Sequence, residues 1–200
     1  MKTLFGRTQV GVIFIGCAFS VVILFYFFQQ KADLPAEDII ILPPEQAQIV
    51  VVGLPARLKI PAIDVDAPIE YVGLTPNGAM GIPKGPSDVG WFELGPRPGE
   101  DGSAVMAGHY GTWKSGQGSV FDNLHKLSQG DKIYIVDDKG MTTTFVVRES
   151  RRYDPEADAA EVFTASDEKP HLNLITCEGA WNKASKSYPQ RLVVFTDKEW

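Results

Sequence analysis

The chain has 200 residues, enough for one domain of ordinary size plus an anchoring segment. Apolar residues make up 44% and charged residues 22%, a balance that excludes wholesale disorder. The net charge is −6, and no basic patch of the kind a nucleic-acid binder carries is visible. The first 31 residues carry Lys2, Arg7 and Lys31 and no acid, so the acidic excess lies in the body that follows.

Residues 10–28 read VGVIFIGCAFSVVILFYFF and contain no charge. As a helix they span about 30 Å, the thickness of a bilayer core. The run has no polar stripe, which a buried soluble helix would show. It is too long for a cleaved signal peptide, and Phe25, Tyr26, Phe27 and Phe28 make a poor cleavage site. Phe14-Ile15-Gly16-Cys17 loosely resembles a lipoprotein cleavage box, but the apolar run continues for eleven residues past Cys17. The expectation is an uncleaved single-pass membrane anchor. Lys2 and Arg7 precede it, and Asp33, Glu37 and Asp38 follow it, so the N-terminus is expected in the cytoplasm and the body outside. The expected organisation is a cytoplasmic stretch at 1–9, the anchor at 10–28, a linker at 29–53 and a catalytic domain at 54–200.

Beyond the linker, short apolar segments alternate with turns. Strands are expected at 57–60 and 65–71, with a turn at Thr75-Pro76-Asn77-Gly78. Residues 81–102 are dense in Gly and Pro and read as a long loop containing Trp91 and Phe92. A small-residue strand follows at 103–109. Residues 120–127 have helical spacing, with Val120, Phe121, Leu124 and Leu127 on one side. Strands at 132–137 and 142–151 are joined by Asp138-Lys139-Gly140, a hairpin signal. Residues 153–170 read as loop or short helix, and strands follow at 172–177 and 191–196. Many short strands and few helices predict an all-β barrel or sandwich.

The exported body holds one cysteine, Cys177, in a setting that favours disulfides. A lone thiol there is either a buried bystander or a nucleophile. Cys177 ends the strand at 172–177 and shares its face with Ile175 and Asn173. If the strands at 172–177 and 191–196 are antiparallel neighbours, Cys177 and Arg191 face each other at the mouth of the loop between them. A cation beside a thiol favours the thiolate and can hold an oxyanion. Of the three histidines, His171 lies about 20 Å along the same strand, too far for proton transfer. His125 falls among polar residues. His109 closes a strand at a Gly-flanked turn and is the best general acid or base. Each residue alone also has a bland reading: a buried thiol, a structural histidine, a solvated arginine. Zinc is disfavoured, because the exported cysteine and the histidines show no paired ligand spacing.

Asn173-Leu174-Ile175-Thr176-Cys177 resembles the sortase signature T-L-x-T-C, with Asn173 in place of the usual Thr. Arg191-Leu192-Val193-Val194-Phe195 looks like the strand carrying the sortase arginine, and Ala107-Gly108-His109 like its histidine motif. The segment Leu58 to Ile69 is similar to the first strands of sortase domains. The resemblance covers about residues 54–197, and Val89-Gly90-Trp91-Phe92 and Ser187-Tyr188-Pro189 look most like the class F group. It implies an eight-stranded β-barrel and a cysteine transpeptidase with His109, Cys177 and Arg191 as catalytic residues. Such an enzyme would cleave an LPxTG-like sorting signal between Thr and Gly. The acyl group would pass to an amine on a cell-wall precursor. Thr176, Tyr110, Trp113 and Trp181 are expected to line the substrate groove, although the aromatics are equally read as loop packing. No cofactor is expected, apart from a calcium ion considered for the acidic loop of Asp154, Glu156, Asp158 and Glu161. Competing readings are a peptidoglycan-acting cysteine transpeptidase and a non-enzymatic surface module that keeps the barrel. The first is disfavoured by the 68 positions between His109 and Cys177.

Overall fold

The computed structural model describes residues 52–113 and 116–200, which belong to a compact unit spanning Val50–Trp200. The expected anchor at 10–28, and Cys17 within it, lie outside the described residues. So does nearly all of the linker. Among the described residues no helix is long and apolar enough to cross a membrane.

Eight strands form a closed barrel in the order β1-β2-β3-β4-β7-β8-β6-β5. They are β1 (Pro55–Ile60), β2 (Val65–Val72), β3 (Val89–Phe92), β4 (Gly102–Gly108), β5 (Lys132–Asp137), β6 (Thr142–Tyr153), β7 (Pro170–Glu178) and β8 (Gln190–Lys198). The β2–β3 and β4–β7 pairs are parallel and the other six are antiparallel. One short helix, α1 (Ala160–Phe163), follows β6.

Period-two alternation explains the barrel's filling. Leu58 and Ile60 on β1, Ile133 and Ile135 on β5, and Phe145 and Val147 on β6 point inward. Ala104 and Met106 on β4, Leu172 and Leu174 on β7, and Leu192 and Val194 on β8 meet them in the same core. The opposite faces of β4, β7 and β8 carry a second, smaller cluster. Val105, Val193 and Phe195 pack there under Val162 of α1. β7 and β8 are thus covered on both faces, which is why they read as nearly continuous apolar runs. Each fully buried large aliphatic or aromatic side chain contributes about 1.5–3 kcal/mol.

Two expectations are corrected. The loop at 81–102 contains β3, with Val89 and Trp91 buried and the Trp91 indole N–H donating to the Pro96 carbonyl at 3.2 Å. Four residues flanked by Gly and Pro carry too little pattern to stand out, and the strand exists because β2 and β4 hydrogen-bond to both of its edges. Residues 120–127 form a turn ending in one 3-10 turn, Leu124–Lys126, rather than an α-helix. Phe121, Leu124 and Leu127 are nonetheless buried as their spacing requires. The Asp138-Lys139-Gly140 hairpin forms, with Gly140 in the left-handed region at φ 79°. Asp137 accepts the backbone N–H groups of Lys139 and Met141 on Oδ1 and of Gly53 on Oδ2, so one carboxylate holds both the hairpin and the entry of the chain.

Candidate active site

Register assembles the site. In the antiparallel β7–β8 pair, Cys177 stands directly opposite Arg191. In the parallel β4–β7 pair, Ala107 stands opposite Ile175, and both chains run on in the same direction. His109 follows the end of β4 and Cys177 lies near the end of β7, so the parallel pairing brings both residues to the same end of the barrel. All three residues have the parity of the outward faces, since Met106, Leu174 and Leu192 point into the core. On the far side of Arg191, Tyr153 of β6 is its register partner. One transverse row thus runs Cys177, Arg191, Tyr153 across β7, β8 and β6, and His109 follows the end of β4, the strand beside β7.

The turn carrying His109 is held at several backbone polar groups. The Thr176 hydroxyl donates to the Gly108 carbonyl at 2.8 Å, and the Phe121 N–H donates to the His109 carbonyl at 3.1 Å. Asp122 accepts the N–H groups of Gly111 at 2.6 Å and Ser119 at 2.9 Å. The Ser119 hydroxyl donates to the Gly111 carbonyl at 2.6 Å. Gly108 has no alternative residue here, because an added Cβ would overlap the fully buried Phe121 ring, whose Cε2 would lie 2.7 Å away. The imidazole itself has Nε2 2.8 Å from the Pro83 carbonyl oxygen, and its ring centroid lies 4.8 Å from that of Trp113.

Cys177 is a free, half-buried thiol. Burial pushes the thiol up from its ordinary value, and the positive charge of Arg191 opposes this without overcoming it. The resting sulfur is therefore a neutral thiol at pH 7, not the thiolate that proximity to a cation alone suggests. Arg191 donates weakly to the carbonyls of Gln190 at 3.2 Å and Tyr188 at 3.4 Å. Arg57, Arg97, Arg148, Arg151 and Arg152 each pair with an acid. Among the described residues Arg191 is the arginine without a carboxylate partner. A half-buried guanidinium left unneutralised is available to a ligand's oxygen atoms.

The other expected groove residues divide. Thr176 is 3% exposed and turned to the core side, so it supports the His109 turn and does not line a surface. Tyr110 and Trp181 both pack edge-to-face on Tyr188, at 5.3 and 5.0 Å, and Trp181 is 49% exposed. Burial, more than its coupling to Cys177, raises the Tyr188 phenol. An apolar recess opens next to Arg191, lined by Tyr153, Ala159, Val162, Ile175 and Val193. Sequence reasoning missed it. The available signal was that Ile175 and Val193 are apolar on the strand faces that look away from the core.

The remaining candidates lie elsewhere. His171 is buried between Asp197, on Nδ1 at 2.8 Å, and Asp167, on Nε2 at 2.7 Å. His125 is exposed. In the acidic loop, Asp154 and Asp158 accept local backbone N–H groups, and Glu161 is taken by Arg151 and the Tyr153 hydroxyl. Among the described residues no group of three or more His, Cys, Asp or Glu side chains is arranged to hold a metal ion.

Residues 58–199 match the sequence model of the sortase domain. No curated protein sequence matches the chain. Three solved structures illustrate the likeness. Sortase A from Corynebacterium diphtheriae (a lid mutant) is 26% identical, with a TM-score of 0.57, over 74% of this chain and 71% of that one. Sortase C-1 from Actinomyces oris is 25% identical, with a TM-score of 0.55, over 72% and 73%. The sortase D5 transpeptidase of Clostridium perfringens is 23% identical, with a TM-score of 0.54 over 73% and 79%, a likeness of fold.

Proposed function

Because the chain belongs to the sortase family of transpeptidases, we propose that it attaches proteins bearing an LPxTG-like sorting signal to an amine of a cell-wall precursor, with Cys177 as nucleophile. The observation that carries this reading is Cys177 in register with an acid-free Arg191 beside an apolar recess, with His109 at the end of the neighbouring strand β4.

The thiol proton passes to His109 as sulfur attacks the Thr–Gly carbonyl carbon. Arg191 holds the oxyanion of the tetrahedral adduct, a charge that exists only during reaction. The carbon–nitrogen bond breaks, and the leaving amine takes the proton from the imidazolium. An acceptor amine then attacks the thioester and gives up a proton to His109, and the thiol re-forms. The apolar recess takes an aliphatic side chain of the sorting signal, and Tyr110, Trp113 and Trp181 border the groove. The anchor at 10–28, with its N-terminus in the cytoplasm, holds the domain at 54–200 outside the membrane by way of the linker at 29–53. The likeness of Val89-Gly90-Trp91-Phe92 and Ser187-Tyr188-Pro189 to the class F pattern supports a reading of the enzyme as class F.

Mass spectrometry of the full chain incubated with a sorting-signal peptide tests the reading. A thioacyl adduct is expected on Cys177. The Cys177→Ala variant is expected to keep its circular-dichroism spectrum and form no adduct. Peptide cleavage by that variant at the wild-type rate would refute the assignment.

A further inference from the structure

A proton carrier has two ring nitrogens with different jobs, and the surroundings of His109 distinguish them. A carbonyl oxygen only accepts hydrogen bonds, so the 2.8 Å contact with Pro83 requires the hydrogen on Nε2. The neutral ring then carries its lone pair on Nδ1. We propose that the Pro83 carbonyl is the orienting partner of His109, fixing the Nε2–H tautomer so that Nδ1 exchanges the proton with sulfur and amine, and that Glu70 is the positioning residue that sets this carbonyl. The proposal rests on the reading of His109 as proton carrier.

Acyl-transfer sites commonly orient the base through a third group, often a carboxylate. Among the described residues no carboxylate pairs with His109, and the Pro83 carbonyl occupies that role. Its position depends on the connection between β2 and β3, which folds back over the outer surface of the barrel. Glu70, Gly90 and Ala107 are register partners across β2, β3 and β4, one outward step from His109. Gly90 leaves the room: a Cβ there would lie 3.2 Å from Pro83 Cδ and 3.0 Å from Val72 Cγ1. Glu70 Oε2 accepts the Lys84 N–H at 3.3 Å, fixing the peptide unit that contains the Pro83 carbonyl. Further along the loop, the Pro86 carbonyl accepts the Val120 N–H at 2.8 Å, and Ser87 Oγ accepts from Gln117 Nε2 at 2.7 Å. The Glu70 contact is the tie nearest Pro83 that a side-chain substitution can remove.

The test is nitrogen NMR of the full chain, labelled with 15N-histidine, in detergent micelles. The His109 resonances are identified by their loss in His109→Gln. The expected result is the Nε2–H tautomer for neutral His109; a majority of Nδ1–H overturns the proposal. Glu70→Ala should give a mixture of tautomers and lower kcat on a sorting-signal peptide about tenfold, with KM nearly unchanged. Glu70→Gln, whose amide oxygen still accepts the Lys84 N–H, should restore both. A Glu70→Ala variant with the wild-type tautomer and kcat removes Glu70 from the positioning role. If His109→Gln keeps full activity, the proton-carrier reading fails, while the tautomer still decides the Pro83 contact.

Discussion

Replacing Arg191 with Gln should separate chemistry from stability. The guanidinium makes only two long bonds, at 3.2 and 3.4 Å, to the carbonyls of Gln190 at the start of its own strand and of Tyr188 just before it. Its removal strands no carboxylate, so the fold should lose no more than about 0.5 kcal/mol. If the guanidinium holds the oxyanion, losing that donor costs about 10²–10³ in kcat, or roughly 2.7–4 kcal/mol of barrier. Arg191 also draws the Cys177 thiol downward against burial, so the variant thiol should titrate still higher and alkylate more slowly at neutral pH. Three measurements follow: initial rates on a fluorogenic sorting-signal peptide, thermal denaturation, and iodoacetamide labelling against pH. A variant cleaving at nearly the wild-type rate would refute the oxyanion role. A loss of activity matched by an equal fall in stability would refute the separation.

Burial raises Cys177, so labelling of the resting wild type should climb only in the alkaline range, and a plateau already reached below neutral pH would contradict a protonated thiol. Gly108→Ala drives a methyl group into the Phe121 ring and should cost about 1–3 kcal/mol in denaturant unfolding. Burial pushes the Asp137 carboxyl up, but the N–H groups of Met141, Lys139 and Gly53 outweigh it and hold the group below the usual carboxylate range. A lowered carboxylate contributes stability above its ordinary value and loses it as pH falls through the folded value. Below about pH 4 the wild type should therefore lose stability more steeply than Asp137→Asn, by urea unfolding at several pH values.

The legible parts of this fold are those governed by local rules. Alternation of apolar residues reveals seven strands, and the Asp-Lys-Gly hairpin announces itself by turn chemistry. The opposition of Cys177 and Arg191 was deducible because an antiparallel pair joined by its own loop has its register set nearby. The alignment of His109 with Cys177 had no such local basis. It depends on a parallel pairing between β4 and β7, whose register is chosen by the packing of everything between them. Tyr153 joined the row unannounced for the same reason, through β6–β8 pairing across a register shift near Arg148. The Pro83 carbonyl and Glu70 were invisible because a backbone oxygen leaves no mark in composition. The thiol's resting protonation was not legible, because a neighbouring cation is read from register, whereas desolvation depends on how deeply the sulfur is buried in the fold.

The parallel marriage of β4 to β7 has a temporal consequence. Two strands running the same way cannot meet through a hairpin, and the crossover between them here carries β5, β6 and α1. Such distant contacts form late and slowly, since the chain must surrender most of its freedom before they return anything. A chain in which β4 and β7 have not yet paired would hold sulfur and imidazole far apart. Competence to acylate would then arrive together with completion of the barrel, and a stalled or truncated chain would be inert.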